Sequence, residues 1–325
     1  MRLRISKTKL YIWIFVIIAL ALLAFLLSDA GRQTIEIGNN NGSLLDKFAP
    51  SDCKNPTSRP VAIMLSSDPE PRPLSGIGQA DIVFEMPVTE GGVTRMMAIY
   101  QCEHPKEIGS IRSARLDFIP LVQGLDAIYA HWGGEAEALK QLNAGVTDNV
   151  NGLIYDGTVY YRKDGIPMPH DGFTTHDNLI DKARDLGYST TDERIDYKYE
   201  KSESEGTLEP PVLYTDDFEV SWSYDAETNA YSRIRAGTPE IDKNTDEQVE
   251  VANVMIMRTS WSPISVDYIR VDTIGSGDAT LYKNGEFING RWEKKSHLGS
   301  LMFHDENGDE MIFADGSIWI EIVID

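Results

Sequence analysis

The 325-residue chain carries 30 Lys and Arg against 51 Asp and Glu, a formal net charge of −21. This balance disfavours nucleic acid as a partner, because such binding needs a basic face to displace condensed counterions. In so acidic a chain, a local gathering of arginines is where function is sought first.

The first nine residues hold Arg2, Arg4, Lys7 and Lys9 and no acid, and Leu10 to Leu27 then form an uncharged apolar run of 18 residues. At about 1.5 Å per residue the run reaches roughly 27 Å, close to the hydrocarbon thickness of a bilayer. The basic residues ahead of it keep the N-terminus in the cytoplasm. Residues 1–9 are therefore expected to be cytoplasmic, 10–27 a single-pass anchor in the cell membrane, and the rest extracytoplasmic. A cleaved signal peptide is the alternative, since Ser28-Asp29-Ala30 offers small residues at both cleavage positions. Length favours the anchor. No cysteine sits at the end of the run to carry a lipid, Cys53 lying too far downstream, and Cys53 and Cys102 form one intramolecular disulfide or remain two thiols.

Residues 28–58 are polar and turn-rich and read as a linker. From 59 to 205, short β-type runs (Val61 to Leu65, Ile82 to Met86, Met96 to Tyr100, Ala127 to Ala130, Val159 to Tyr161) alternate with helical patterns at Ala114 to Leu125, Glu135 to Leu142 and Asn178 to Leu186. Pro120 inside the first pattern implies a kink or a late start. The acidic stretch around Glu200 to Pro211 marks a boundary, and 206–325 reads as strands, with tight turns at Asn284-Gly285 and Asn307-Gly308 where both residues tolerate positive φ. The expected fold class is α+β, a mixed α/β domain followed by a smaller, mostly-β domain, behind the transmembrane helix. From residue 201 onward there are 10 basic against 25 acidic residues, which again speaks against a nucleic-acid face.

The candidate chemistry clusters in the first domain. Arg112 and Arg115 are three apart and would share a face if a helix has begun, where their guanidinium forks suit phosphate or carboxylate; pairing with Glu85, Glu90 or Asp117 is the structural alternative. His131 follows a strand and precedes Gly133-Gly134, a place where open α/β layers bind ligands and backbone N–H groups attract anions. Glu85 and Glu90 bracket a loop before Arg95 and could serve as acid and base. Farther on stand Arg162, His170 and His176. The spacing of His170 and His176 is not a zinc pattern. A metal would require ligands from His131, His170, Asp171 or His176 to meet in space, and neither metal nor cofactor is expected. Phosphate-loop, dinucleotide and nucleophile-elbow motifs are absent.

The stretches ADIVFEMPVTEGGVTRMMAIYQ, IGSIRSARLDFI, DAIYAHWGG, NGLIYDGTVYYRKD and PMPHD, then GSGDATLYKNGEFINGRWEKKS and FADGSIWIEIV, resemble the YerB-like lipoprotein family of bacteria. That resemblance covers most of the chain after residue 60 and implies two domains of unknown function. It puts Glu85, Glu90, Arg95, Arg112, Ser113, Arg115, His131, Gly133, Gly134, Arg162 and His170 on motif positions without assigning them roles. This chain departs from the family in having the apolar run in place of a lipid-bearing cysteine, Glu135 where serine is common, and Asp171 where asparagine is typical.

Two functional readings follow. In the first, a membrane-anchored envelope protein binds an anionic wall polymer or peptide through Arg95, Arg112, Ser113, Arg115, Gly133, Gly134 and Arg162. In the second, an envelope hydrolase or transferase uses His131 or His170 with Glu85 or Glu90 as acid and base, and the arginines stabilise the transition state.

Overall fold

A computed structural model describes residues 53, 57–191, 197–265 and 268–325. All of them belong to one unit, Lys47–Asp325. The expected cytoplasmic segment, the apolar run Leu10 to Leu27 and most of the linker lie outside the described residues. Among the described residues no helix is long and apolar enough to cross a membrane.

The frame is a ten-stranded mixed sheet. Its strands in chain order are β1 (Val61–Leu65), β2 (Ile82–Pro87), β3 (Thr94–Tyr100), β4 (Ile128–His131), β5 (Asn149–Asn151), β6 (Asn253–Thr259), β7 (Gly275–Lys283), β8 (Glu286–Lys294), β9 (Met302–Asp305) and β10 (Ile318–Ile324). Across the sheet they run β9-β8-β7-β6-β10-β2-β3-β1-β4-β5. The regions read as two domains thus share one sheet. They meet where β10, the last strand of the chain, lies parallel to β2 with Ile82 opposite Ile318 and Glu85 opposite Glu321.

Strands covered on both faces need apolar residues at successive positions, which is why VAIML and IWIEIV read as near-continuous hydrophobic runs. Alternation then sorts them. Ala62, Met64, Phe84, Met97, Ile99, Tyr129 and Ile320 point to one face, covered by α1 (Ile119–Gly124) and α2 (Ala136–Asn143). Val61, Ile63, Leu65, Val83, Met96, Ala130 and Trp319 point to the other. That second face is covered by α4 (His176–Asp185), which follows the single turn α3 (Gly152–Tyr155), and by the antiparallel ribbon Val220–Asp225 and Ala230–Arg235.

The helices differ in detail from expectation. Pro120 gives the late start: a short 3-10 turn, Leu116–Phe118, precedes α1, and the proline sits in the first turn, where a missing N–H costs nothing. Glu135 caps α2 rather than beginning it. The helix at 178 starts two residues earlier, because the Thr175 side chain caps it by accepting from the Asn178 N–H. Asn284 and Gly285 both take positive φ between β7 and β8, whereas at Asn307-Gly308 only the glycine does. Cys53 and Cys102 are joined in a disulfide, which settles the choice left open between a bond and two thiols.

Candidate functional site

The parallel strands β1 and β4 end side by side, and the extended segment Ser110 to Ala114 runs between their ends. The Arg112 N–H donates to the Met64 carbonyl, the Trp132 N–H to the Arg112 carbonyl, and the Ala114 N–H to the Gly133 carbonyl. Close approach requires Gly134, since a Cβ there would lie 3.0 Å from that of Ala114. This corrects the helical expectation: Arg112 lies in extended chain and Arg115, with φ −124° and ψ 146°, just precedes the 3-10 turn.

Three guanidiniums gather at these strand ends. Arg95 comes from β3, on the face that carries Met97 and Ile99, and is 3 % exposed. Its Nη1 lies 3.2 Å from Asp68 Oδ2, and Arg112 Nη2 lies 3.5 Å from the same oxygen. Arg115 stacks on the Tyr268 ring at 4.6 Å and makes no ion pair among the described residues. Burial, reinforced by the charge of Arg112, lowers the pKa of Arg95 to about 10. Arg112 is shifted down as well, first by burial and then by Arg115 against the pull of Asp68 and Glu70. Burial alone would raise the Asp68 carboxyl, but Arg95, the Ser66 hydroxyl and Arg112 outweigh it and hold it below the usual range. The Nε atoms of Arg95 and Arg115 are buried without a hydrogen-bond partner.

His170 completes the cluster. Its Nδ1 is 3.2 Å from Arg112 Nη1. A guanidinium only donates, so the ring accepts there and is neutral, in keeping with a pKa lowered by burial and by Arg112. Arg112 and Ser113 also line a groove of about 390 Å³ with Trp132, Leu153, Arg162, Met168, Pro169 and Asp171. Arg162 stacks on Trp132 at 4.6 Å and pairs with Asp171 and Asp156, each at 3.0 Å.

The remaining expected residues lie elsewhere or are occupied. Glu85 is on the opposite face of the sheet from Arg95, fully buried, where Arg233 and Arg235 both bind its carboxylate. These two arginines hold it below the ordinary range although burial pushes it up. Glu90 is exposed in the turn between β2 and β3. His131 is fully enclosed: Nδ1 meets the Gly133 carbonyl at 2.7 Å, Nε2 faces Asn149 Oδ1 at 3.3 Å, and burial lowers its pKa. The Gly133 N–H donates to Asn151 Oδ1, so that amide is already used within the fold. Asp117 pairs with Arg270 at 2.9 Å rather than with Arg112 or Arg115.

His131, His170, Asp171 and His176 do not form a ligand set. Among the described residues the group with ligand atoms within 4.8 Å of one another is His104, His176 and Asp177. The two rings there are stacked 3.8 Å apart at 11°, so their in-plane lone pairs do not converge on one point.

Sequence reasoning missed the buried network behind Glu85. Arg233 also binds Glu240 at 2.7 Å and Glu321 at 2.6 Å, and lies over the Trp319 ring at 3.7 Å. The available signal was a lone acid inside each of the apolar runs IVFEMP and IWIEIV, and the alternating arginines of AYSRIR.

The same motif order is found in known proteins. Two models of a family described as "Protein of unknown function (DUF3048)" match, the N-terminal domain over residues 49–189 and the C-terminal domain over 211–320. The chain belongs to the DUF3048 family. A relative in Bacillus subtilis (strain 168), named "Putative lipoprotein YerB", is 32 % identical over 274 residues, 82 % of each chain. The crystal structure of YerB from Bacillus subtilis matches with a TM-score of 0.73 at 31 % identity, covering 82 % of this chain and 91 % of that one. The DUF3048 N-terminal region thus contains the whole arginine cluster, and the C-terminal region supplies Arg233, Arg235, Glu240 and, at position 321, a glutamate just past its matched end.

Proposed function

We propose that this DUF3048 protein is a membrane-tethered, extracytoplasmic envelope protein whose N-terminal region binds an anionic group of a wall polymer or peptide at Arg95, Arg112 and Arg115. One observation carries the reading: Arg95, Arg112 and Arg115 repel one another, and among the described residues Asp68, at ion-pair distance from Arg95 and Arg112, is the one carboxylate paired with any of them. A bound anion would relieve that repulsion. The outward location is supported by the relative's lipoprotein name, by the apolar run Leu10 to Leu27, and by the disulfide, which persists in oxidising compartments. An acid–base role for Glu85 and His131 draws no support from their burial in structural bonds.

Pyrophosphate serves as a simple anionic probe. Calorimetric titration at low salt is expected to show saturable binding that weakens by roughly tenfold or more in R112A/R115A, the loss of about two charge-assisted contacts. Equal affinity in the variant and the parent would overturn the assignment.

A further inference from the structure

The groove beside Arg112 narrows the class of ligand, resting on the anion-binding reading above. Its volume of about 390 Å³ falls in the range of small-ligand sites. Its lining is not uniformly cationic. The charge of Arg162 is answered by Asp171 and Asp156, and Asp171 itself lines the groove, so a second negative charge on a ligand would meet repulsion there. Arg112, which shares the single charge of Asp68 with Arg95 and is therefore not neutralised by it, forms the anion seat with the Ser113 hydroxyl. That hydroxyl donates to the Trp132 carbonyl at 3.2 Å, long for an O–H donor and readily exchanged for a better acceptor.

The rest of the lining is apolar. Leu153 and Met168 are 63 % and 72 % exposed, and Pro169 and Trp132 join them. The Trp132 indole is a fixed wall, because Gly152 and Gly172 lie so close that a Cβ on either would fall within 2.7 Å of it. One negative charge next to apolar surface describes a chain end better than a polyanion.

We propose that the groove holds the carboxy-terminal end of a peptide with an apolar last side chain. The carboxylate sits on Arg112 and Ser113, and the side chain lies against Trp132, Leu153 and Met168. A guanidinium fork matches a carboxylate in two parallel hydrogen bonds, and the exposed apolar residues lose water contact when the ligand side chain covers them.

The test compares N-acetyl-Gly-Leu, its carboxamide, N-acetyl-Gly-Gly and pyrophosphate on the purified chain, read by tryptophan fluorescence and calorimetry. The free acid ending in leucine is expected to bind roughly tenfold more tightly than either the amide or the glycine peptide. L153S/M168S, at two exposed positions, is expected to erase the preference for leucine over glycine while leaving pyrophosphate affinity unchanged. Pyrophosphate binding without preference among the peptides overturns the peptide assignment and leaves the anion site standing. Failure of both probes overturns both, and an unchanged leucine preference in L153S/M168S places the peptide elsewhere and overturns this groove.

Discussion

At the scale of single residues, His176 shows how burial sets a charge state. It is the first residue of α4, 2 % exposed, stacked on His104, with neither ring nitrogen hydrogen-bonded. Burial, with a smaller push from His104, lowers its pKa from 6.5 to about 3. The folded state therefore binds fewer protons than the unfolded state between these values. The associated stability is complete above pH 6.5 and is lost as pH falls toward 3, at a rate approaching about 1.4 kcal/mol per pH unit. Urea titrations at pH 7 and pH 5 should show a steeper loss in the parent than in His176→Phe, which keeps a stacked ring and cannot titrate. Identical slopes would mean that His176 does not titrate as described.

At the scale of elements, the Glu85, Glu240, Glu321, Arg233 and Arg235 network joins β2, β10 and the covering ribbon. Arg233 and Arg235 face three carboxyls, and Arg72 adds a further positive charge near Glu240 and Glu85. Burial and the neighbouring Glu85 push Glu321 up, whereas Arg235 and Arg233 hold Glu85 down, so Glu321 is the carboxyl of this pair that takes up a proton first. Its Oε2 also lacks a hydrogen-bond partner. Glu321→Gln, which mimics the neutral acid, is expected to cost less than about 1 kcal/mol, and Glu85→Gln about 3–5 kcal/mol by leaving a buried arginine uncompensated. Chemical denaturation measures both, and equal costs would show that the two carboxyls share one ionisation state. Strands such as β1 were readable to the residue because double burial demands an apolar run. The pairing of β2 with β10 was not readable, since nothing in either strand names a partner more than two hundred positions away in the chain. For the site, Arg95, Arg112, Arg115 and His170 stood out against an acidic background, while Asp68, in a Ser-Ser-Asp-Pro turn, carried no pattern to mark it.

At the scale of the whole molecule, Cys53 and Cys102 close a loop with a sequence separation of 49. Restricting the unfolded chain in this way is worth about 4 kcal/mol in the loop-entropy account, with 2–4 kcal/mol typical of measured bonds. Cys102→Ser, or reduction of the parent, should lower the urea midpoint accordingly, and an unchanged midpoint would show that the bond constrains little. The bond also alters how the chain bears load. If the leading segment tethers the protein as proposed, a pull arriving at Cys53 passes through sulfur to the residue two beyond the end of β3. It thus bypasses Arg59, whose guanidinium meets Asp126 and Asp148, and the start of β1. Oxidised, the sheet is loaded at β3, between two hydrogen-bonded neighbours; reduced, the same pull falls on β1 and on the ion pairs of Arg59, so the redox state chooses which strand would give way first.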